Sequence, residues 1–428
     1  MSAECRRSSD LSLSPDVREA LAGARGEGVR LAAQLVTALG RIYGAESLAP
    51  AASVQVAGVS YRNLGAAGLD FLRDWASHGA TARVPATLNP AGMDLTDWRV
   101  HGISEEFARQ QLLVIDAYRR LGVAPACTCT PYQVGNVPRL GEHLAWSESS
   151  AVAFANSVLG ARTNREGGPG ALAAAILGQT AAYGLHCDEG RRATLVVDVT
   201  CPLPAPEDFG ALGYLVGRLA GDGVPLLRLH RAPEGLRGAE DLLHSPFLPH
   251  LKALGAAMAA SGAVGLYHIE GVTPEARRGD DLVAPGAQRV AVEDLGPAYA
   301  ALSTAGPEGP VDLVSIGCPH ASLAEIAAVA ERLAGRRVQA ALWVTTARAT
   351  LEQARREGLA ELLERAGARL MADTCLVVAP MASFPYRVLA TNSAKMATYA
   401  PGHCGLATRF GAMEACVEAA VKGIMRKT

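Results

Sequence analysis

Residues 311–326 read VDLVSIGCPHASLAEI. The first seven predict a buried β-strand, a short β-branched run in which Gly317 permits a tight exit. Cys318, Pro319 and His320 follow at once. Ser322 and Glu325 stand at the spacing of a capping box, which starts a helix running through Ala334. A strand that leads directly into a helix is half of a parallel β/α unit. It sets the Cys318 thiol at the carboxyl end of a strand and near a helix N-terminus, where ligands gather and thiolate is favoured. A free cysteine buried in a core fits the same residues.

The pattern extends outward from there. TLVVDV (194–199), VPLLRL (224–229), VGLYHI (264–269), QAALWV (339–344) and TCLVVA (374–379) are further short apolar runs. Several are separated by Ala/Leu helices such as Leu351–Ala366. Alternation of this kind predicts an α/β fold of parallel sheets covered by helices. Upstream, Ser14-Pro15-Asp16 starts a helical segment whose apolar positions recur through Leu39. Pro and Gly cluster at 200–206 and 304–310, two weak candidate boundaries within one catalytic region spanning 1–428. No 20–50-residue repeat is visible.

Composition removes several function classes. The 428 residues carry 40 basic and 42 acidic side chains, a net charge of −2, which gives no electrostatic reason for a nucleic-acid or anionic-membrane partner. Only four of the basic residues are lysines (Lys252, Lys395, Lys422, Lys427), a skew that points to a GC-rich bacterial genome rather than to binding. No run approaches the roughly 20 apolar residues that cross a bilayer. The opening MSAECRRSSDLSLSPD lacks the apolar core of a secretory signal. Nine irregularly spaced cysteines in a chain this long suit a reducing cytoplasm, with thiols kept free or used as ligands.

Three cysteine contexts stand out. Besides Cys318, Cys375 heads an apolar run in ADTCLVVAP. In CTCTPY an extended backbone points Cys127 and Cys129 to the same side, so geometry does not choose between them. No CxxC or Cys/His pair has the spacing of a zinc knuckle. Long-range convergence of three thiolates would suit an iron–sulfur cluster with one iron open to a substrate hydroxyl.

The densest polar stretch is 141–192. A helix from about Glu148 puts Val152 and Asn156 on one face. Arg162, Thr163, Asn164, Arg165 and Glu166 follow, the mark of an anion site. In GGPGALAAAILG the glycines permit close backbone approach and Pro169 suits a first helical turn, offering free N–H groups to an anion. Taken alone, this piece reads better as an ordinary Gly-Pro helix start. Neither the phosphate-loop nor the dinucleotide pattern is matched, which disfavours nucleotide chemistry. GVSYRNLG (58–65), VPATLNP (84–90) and TNSAKMATYAPG (391–402) are further polar islands, the last holding Lys395. His186, His320 and His403 sit in polar motifs. His230 and His268 end apolar runs and read as core or edge residues.

These stretches together resemble the aconitase X family, a branch of the aconitase superfamily. The likeness runs from about Leu21 to Val421 through GVSYRNLGAAGLDFL, VPATLNPAGMD, CTCTPYQVGNVPRLGEHLAWSESSAVAFANSVLGARTNREGG, YGLH, IGCPHASLAEI, ADTCLVVAP and TNSAKMATYAPG. It implies an aconitase-like α/β fold, that of the large catalytic subunit without the small swivelling domain, and an iron–sulfur dehydratase. It implies Cys129, Cys318 and Cys375 as cluster ligands, choosing Cys129 over Cys127 because the shared motif is TCTPY. Substrate contacts are implied for Ser60, Asn89, Glu148, Ser149, Ser150, Asn156, Arg162, Thr163, Asn164, Arg165, Glu166, His186 and Lys395. Two departures are Ala86, where the family usually has threonine, and Cys187 after YGLH.

The family's serine base comes from a Gly-Arg-Gly-Ser-like loop of the swivelling domain. Arg6-Arg7-Ser8-Ser9 lies in a polar stretch without those glycines, so the base is expected on a small partner subunit of a heterodimer. Family substrates are small and anionic. The arginine skew favours cis-3-hydroxy-L-proline, with mevalonate 5-phosphate as the alternative. A cluster-bearing RNA-binding or sensor protein is the reading of another class, disfavoured by the near-neutral charge. A cluster-free lyase with a different metal is a further one.

Overall fold

The computed structural model describes residues 11–277 and 282–426. Cys5, the Arg6–Ser9 stretch and Lys427 lie outside the described residues.

Three parallel sheets follow one another along the chain, and all obey one rule. In the first unit Val54–Val56 is central, flanked by Ala86–Leu88 and Ala145–Trp146. In the second, Ala193–Val199 pairs on one side with Pro225–Leu229, which pairs with His268–Ile269, and on the other side with Val283–Val292. In the third, Leu313–Ala321 is central: Ala341–Thr346 and Arg369–Ala372 lie to one side, Val388–Thr391 and Ala407–Phe410 to the other. Each sheet begins in its interior, grows to one side, then reverses. The reversal opens a crevice at the carboxyl ends of the strands, the place where α/β sheets bind ligands.

The parallel sheets covered by helices that the sequence predicts are therefore present, with local differences. The opening strand of the third sheet does not stop at Gly317. It runs on through Cys318 to Ala321, with its register shifting between Ile316 and Ala321. Gly317 has φ +99°, and a Cβ there would lie 2.1 Å from the Thr345 carbonyl oxygen, so only glycine fits this irregularity. TCLVVA is not a strand. The strand is the preceding Arg369–Ala372, ended by Asp373 at φ +63°, and the apolar run makes a turn. The helix expected over 351–366 is two, Arg348–Arg356 and Leu359–Ala366, broken at left-handed Gly358. The N-terminal helix is likewise two, Pro15–Leu21 and Glu27–Ile42.

The third sheet is buried on both faces by strict alternation. Val314, Ile316, Leu342 and Val344 face one helical layer, while Leu313, Trp343, Met371 and Leu389 face the other side. The capping box forms as read: Ser322 Oγ accepts from the Glu325 N–H (3.3 Å), and the Glu325 carboxylate accepts from the Ser322 N–H (2.8 Å). The second unit's core is continuous with the helix Ser149–Ser157 and with Ala394 and Ala397. The three units therefore share packed interfaces.

Candidate active site

The strand ends of the first and third units face each other across a cavity of about 290 Å³. From the first sheet, Val56 leads through Gly58 to Ser60, Leu88 leads to Asn89, and Trp146 leads to Glu148. From the third, the central strand delivers Cys318, Arg369–Ala372 delivers Cys375, and Val388–Thr391 delivers Lys395. Cys129, Ser149 and Arg165 complete the polar wall, with Tyr399 and His403 beside them. Ser60 and Glu148 are the N-cap residues of the helices Tyr61–Ser77 and Ser149–Ser157. The second of these directs its positive end at the cavity, whereas the first is interrupted after one turn, at Gly65 (φ +63°).

Cys127 and Cys129 part company here. Cys127 takes φ +40° and its side chain enters the core of the first unit, whereas Cys129 lines the cavity. The positive φ breaks the extended geometry that left the pair equivalent. Burial pushes all three cavity thiols up, Cys129 to about 12 with the Glu148 carboxylate adding to the effect. Thiols held this high ionise only against strong positive charge, which a metal core supplies. Among the described residues no three His, Cys, Asp or Glu side chains close on one point as a single ion requires. Three thiols on the wall of one cavity fit a multi-atom inorganic core as a donor set.

The buried Lys395 and the largely covered Glu148 form an ion pair between the first and third units. Asn89 Nδ2 donates to the Glu148 carboxylate (2.7 Å), as does Ser150 Oγ (3.1 Å), while the Lys395 ammonium also reaches Ser150 Oγ (3.1 Å). Burial alone would raise the Glu148 carboxyl, but the lysine charge and these donors bring it down to about 2. Lys395 is driven down by burial and back up, beyond its ordinary value, by Glu148. Asn89 Oδ1 is buried without a partner among the described residues. Its amide nitrogen is committed to Glu148, so this oxygen presents a fixed acceptor. Arg165 lies exposed at the rim, with no carboxylate in ion-pair range among the described residues.

Ser60, expected in the site, lines the cavity, and it belongs to a set of long-range pairings that the sequence does not show. Ser60 Oγ donates to the Val378 carbonyl (2.8 Å). Arg62 donates to the carbonyls of Val377 (3.2 Å), Ala379 (2.9 Å) and His403. Together they fasten the turn after Cys375. Behind that turn, Arg348 joins the buried carboxylates of Asp94 (2.6 Å) and Asp373. Asp94 also accepts from the Ala372 N–H (2.8 Å), tying the NPAGMD stretch to ADTC. His320, fully buried, contacts the segments that carry the other two cysteines. The only available signal was polar residues inside apolar motifs. Their partners lie tens to hundreds of positions away.

The remaining predicted substrate contacts lie elsewhere. Asn156 Nδ2 donates to the carbonyls of Thr163 and Gly265 (both 2.8 Å), and Asn156 Oδ1 accepts from the Thr163 N–H (2.9 Å). Asn164 Nδ2 donates to the Tyr183 carbonyl (3.0 Å), and its Oδ1 accepts from the Leu185 N–H (2.9 Å). Arg162 holds the His186 carbonyl (2.8 Å) and Asp188. His186 stacks on His143 with centroids 5.1 Å apart. Glu166 turns to Thr180 (3.5 Å), and burial raises its carboxyl to about 7. These donors brace one another and none lines the cavity.

Comparison with known proteins places this architecture. Models of the aconitase X first, second and third domains match residues 10–189, 193–296 and 311–422. The chain is 50% identical over 384 residues to the phosphomevalonate dehydratase large subunit of Methanothermobacter thermautotrophicus, covering 90% of this chain and 92% of that one. It is 38% identical over 415 residues to the cis-3-hydroxy-L-proline dehydratase of Pseudomonas aeruginosa, covering 94% of this chain and 69% of that protein. The crystal structure of Thermococcus kodakaraensis aconitase X in its holo-form superposes with a TM-score of 0.84 at 41% identity, covering 96% of this chain and all of that chain. The chain belongs to the aconitase X family and is a dehydratase of that type.

Proposed function

We propose that this chain is the large subunit of a phosphomevalonate dehydratase, with Cys129, Cys318 and Cys375 holding an iron–sulfur cluster and a small subunit completing the site. The carrying observation is the charge balance of the cavity. Its one carboxylate, Glu148, is already neutralised by Lys395, whereas Arg165 has no acidic partner among the described residues. A zwitterion such as hydroxyproline would need a free carboxylate for its ammonium. A substrate carrying both carboxylate and phosphate needs the reverse, positive ends and a free cation. The identities, 50% against 38%, favour the same substrate and outweigh the leaning toward cis-3-hydroxy-L-proline drawn from the arginine skew.

In this reading Arg165 takes the phosphate at the rim. The amino end of the helix Ser149–Ser157 faces the carboxylate. Asn89 Oδ1 accepts a hydrogen bond from a substrate hydroxyl, and the Glu148–Lys395 pair keeps that amide oriented. When bound, the cluster supplies a Lewis acid for the leaving hydroxyl. The proton beside the carboxylate is removed by a serine from the small subunit.

Anaerobic co-expression with the small subunit, followed by iron and sulfide analysis and assays on both substrates, tests the proposal. Dehydration of mevalonate 5-phosphate by the pair, with little turnover by this chain alone, is the expected result. Turnover of cis-3-hydroxy-L-proline instead, or full activity without the partner, overturns it.

A further inference from the structure

We propose that His320 is the positioning residue that holds the three cysteine-bearing segments in register, an inference that rests on the cluster reading above. His320 is two residues from Cys318 on the same strand, and its side chain is fully buried. Nε2 lies 2.8 Å from the Thr374 carbonyl oxygen, which can only accept, so Nε2 carries the proton. Nδ1 is then an acceptor, and the Thr128 hydroxyl, 2.9 Å away, donates to it. Thr128 in turn accepts from the Thr130 N–H (3.1 Å).

Each ring nitrogen therefore grips the residue immediately before a cavity cysteine, Thr128 before Cys129 and Thr374 before Cys375. The main chain adds a third tie. The His320 N–H donates to Cys129 Sγ (3.2 Å), a bond that stabilises negative charge on that sulfur. From behind, the His320 carbonyl accepts from the Lys252 ammonium (3.0 Å), itself paired with Glu325 at the start of the following helix. One residue thus bridges positions near 129, 318 and 374 and is fixed by a fourth segment. A flat ring with a nitrogen on each side spans two segments; an aliphatic side chain of similar size would leave Thr128 Oγ1 and the Thr374 carbonyl without their partner.

The test uses the full-length chain as wild type, His320→Leu and His320→Gln, with and without anaerobic loading of iron and sulfide. Alkylation by monobromobimane is followed at each cysteine by mass spectrometry. Without metal, His320→Leu is expected to react about tenfold faster at Cys129 and Cys375, while Cys416, in the core of the third unit, keeps its wild-type rate. His320→Gln, whose amide nitrogen reaches toward the Nε2 position, is expected to restore protection at Cys375. With metal, His320→Leu is expected to hold less iron and sulfide and to show an altered visible spectrum. Unchanged rates at Cys129 and Cys375, or an equal rise at Cys416, overturn the inference. Absence of iron from the wild type overturns the cluster reading instead, and the alkylation pattern still decides the role of His320.

Discussion

The second and third units have the same kind of sheet, wound from the inside out with one reversal, yet of the two the third is the one whose crevice opens on the described cavity. At the irregularity in its central strand the third unit places Cys318, followed across the reversal by Lys395. The corresponding positions in the second unit are Thr200 and Cys201 after Val199, and Glu293 after Val292. There the Thr200 N–H donates to the Val292 carbonyl (3.1 Å), and Cys201, Leu203, Leu295 and Ala298 fill the space as core. Topology opens a crevice in both units; the side chains decide whether it receives a ligand or is packed shut. Two open crevices, from the first and third units, meet face to face and make one cavity. The second unit approaches the cysteines from behind, through Lys252 and the His320 carbonyl.

The strongest way to break this contrast is to exchange the two thiols for hydroxyls. Cys318→Ser is expected to lose most bound iron and to lower turnover of the assembled enzyme about a thousandfold or more. Cys201→Ser, at the equivalent place in the second unit, should keep wild-type iron and turnover. Equal losses in iron analysis would mean that the second crevice also matters.

A smaller effect separates two adjacent residues of the first unit, Arg165 and Glu166, which point to opposite sides of the wall. Arg165→Ala is expected to raise KM for mevalonate 5-phosphate about 10- to 100-fold, with a lesser change in kcat, because it removes charge-assisted bonds to a remote phosphate. Steady-state kinetics with both parameters resolved checks this. A loss confined to kcat would place the phosphate elsewhere.

Glu166 should act on stability alone. Its carboxyl is raised by burial to about 7 from an ordinary 4.5. Between those pH values the native protein holds a proton that the unfolded chain has lost, so stability falls as pH rises, and the penalty is complete above 7. Glu166→Gln removes the penalty. Thermal unfolding should show a gain of about 1–2 °C at pH 8 and none near pH 4.5, with activity unchanged. A gain of the same size at both pH values would remove ionisation as its cause.

Local signals in the sequence were read correctly where the cause is local. The Ser322–Glu325 capping box, the helix start at Pro169 and the strand leading to Cys318 all depend on neighbours within a few positions. TCLVVA misled because its β-branched composition suits a strand, while Asp373 at φ +63° has already ended one. The polar stretch Arg162–Glu166, with Asn156 before it, reads as an anion site because polar groups are dense there; Arg165 does line the cavity, and the others turn away from it. The side-chain amides of Asn156 and Asn164 donate to carbonyls and accept from N–H groups of the loops beside them, a need that the sequence alone does not distinguish from ligand binding. The pairings of Arg62, Arg348 and His320 were invisible for the opposite reason, since each joins residues brought close only by folding.

The cavity walls come from distant parts of the polypeptide, and this sets an order of events in biosynthesis. Cys129 leaves the ribosome about 190 residues ahead of Cys318, an interval of roughly 10–40 s at ordinary elongation rates. Throughout that interval the nascent chain has a thiol but no opposing wall. On the cluster reading proposed above, metal can be taken up only once Cys375 has emerged as well, and the three thiols stay free until the walls that carry them have docked.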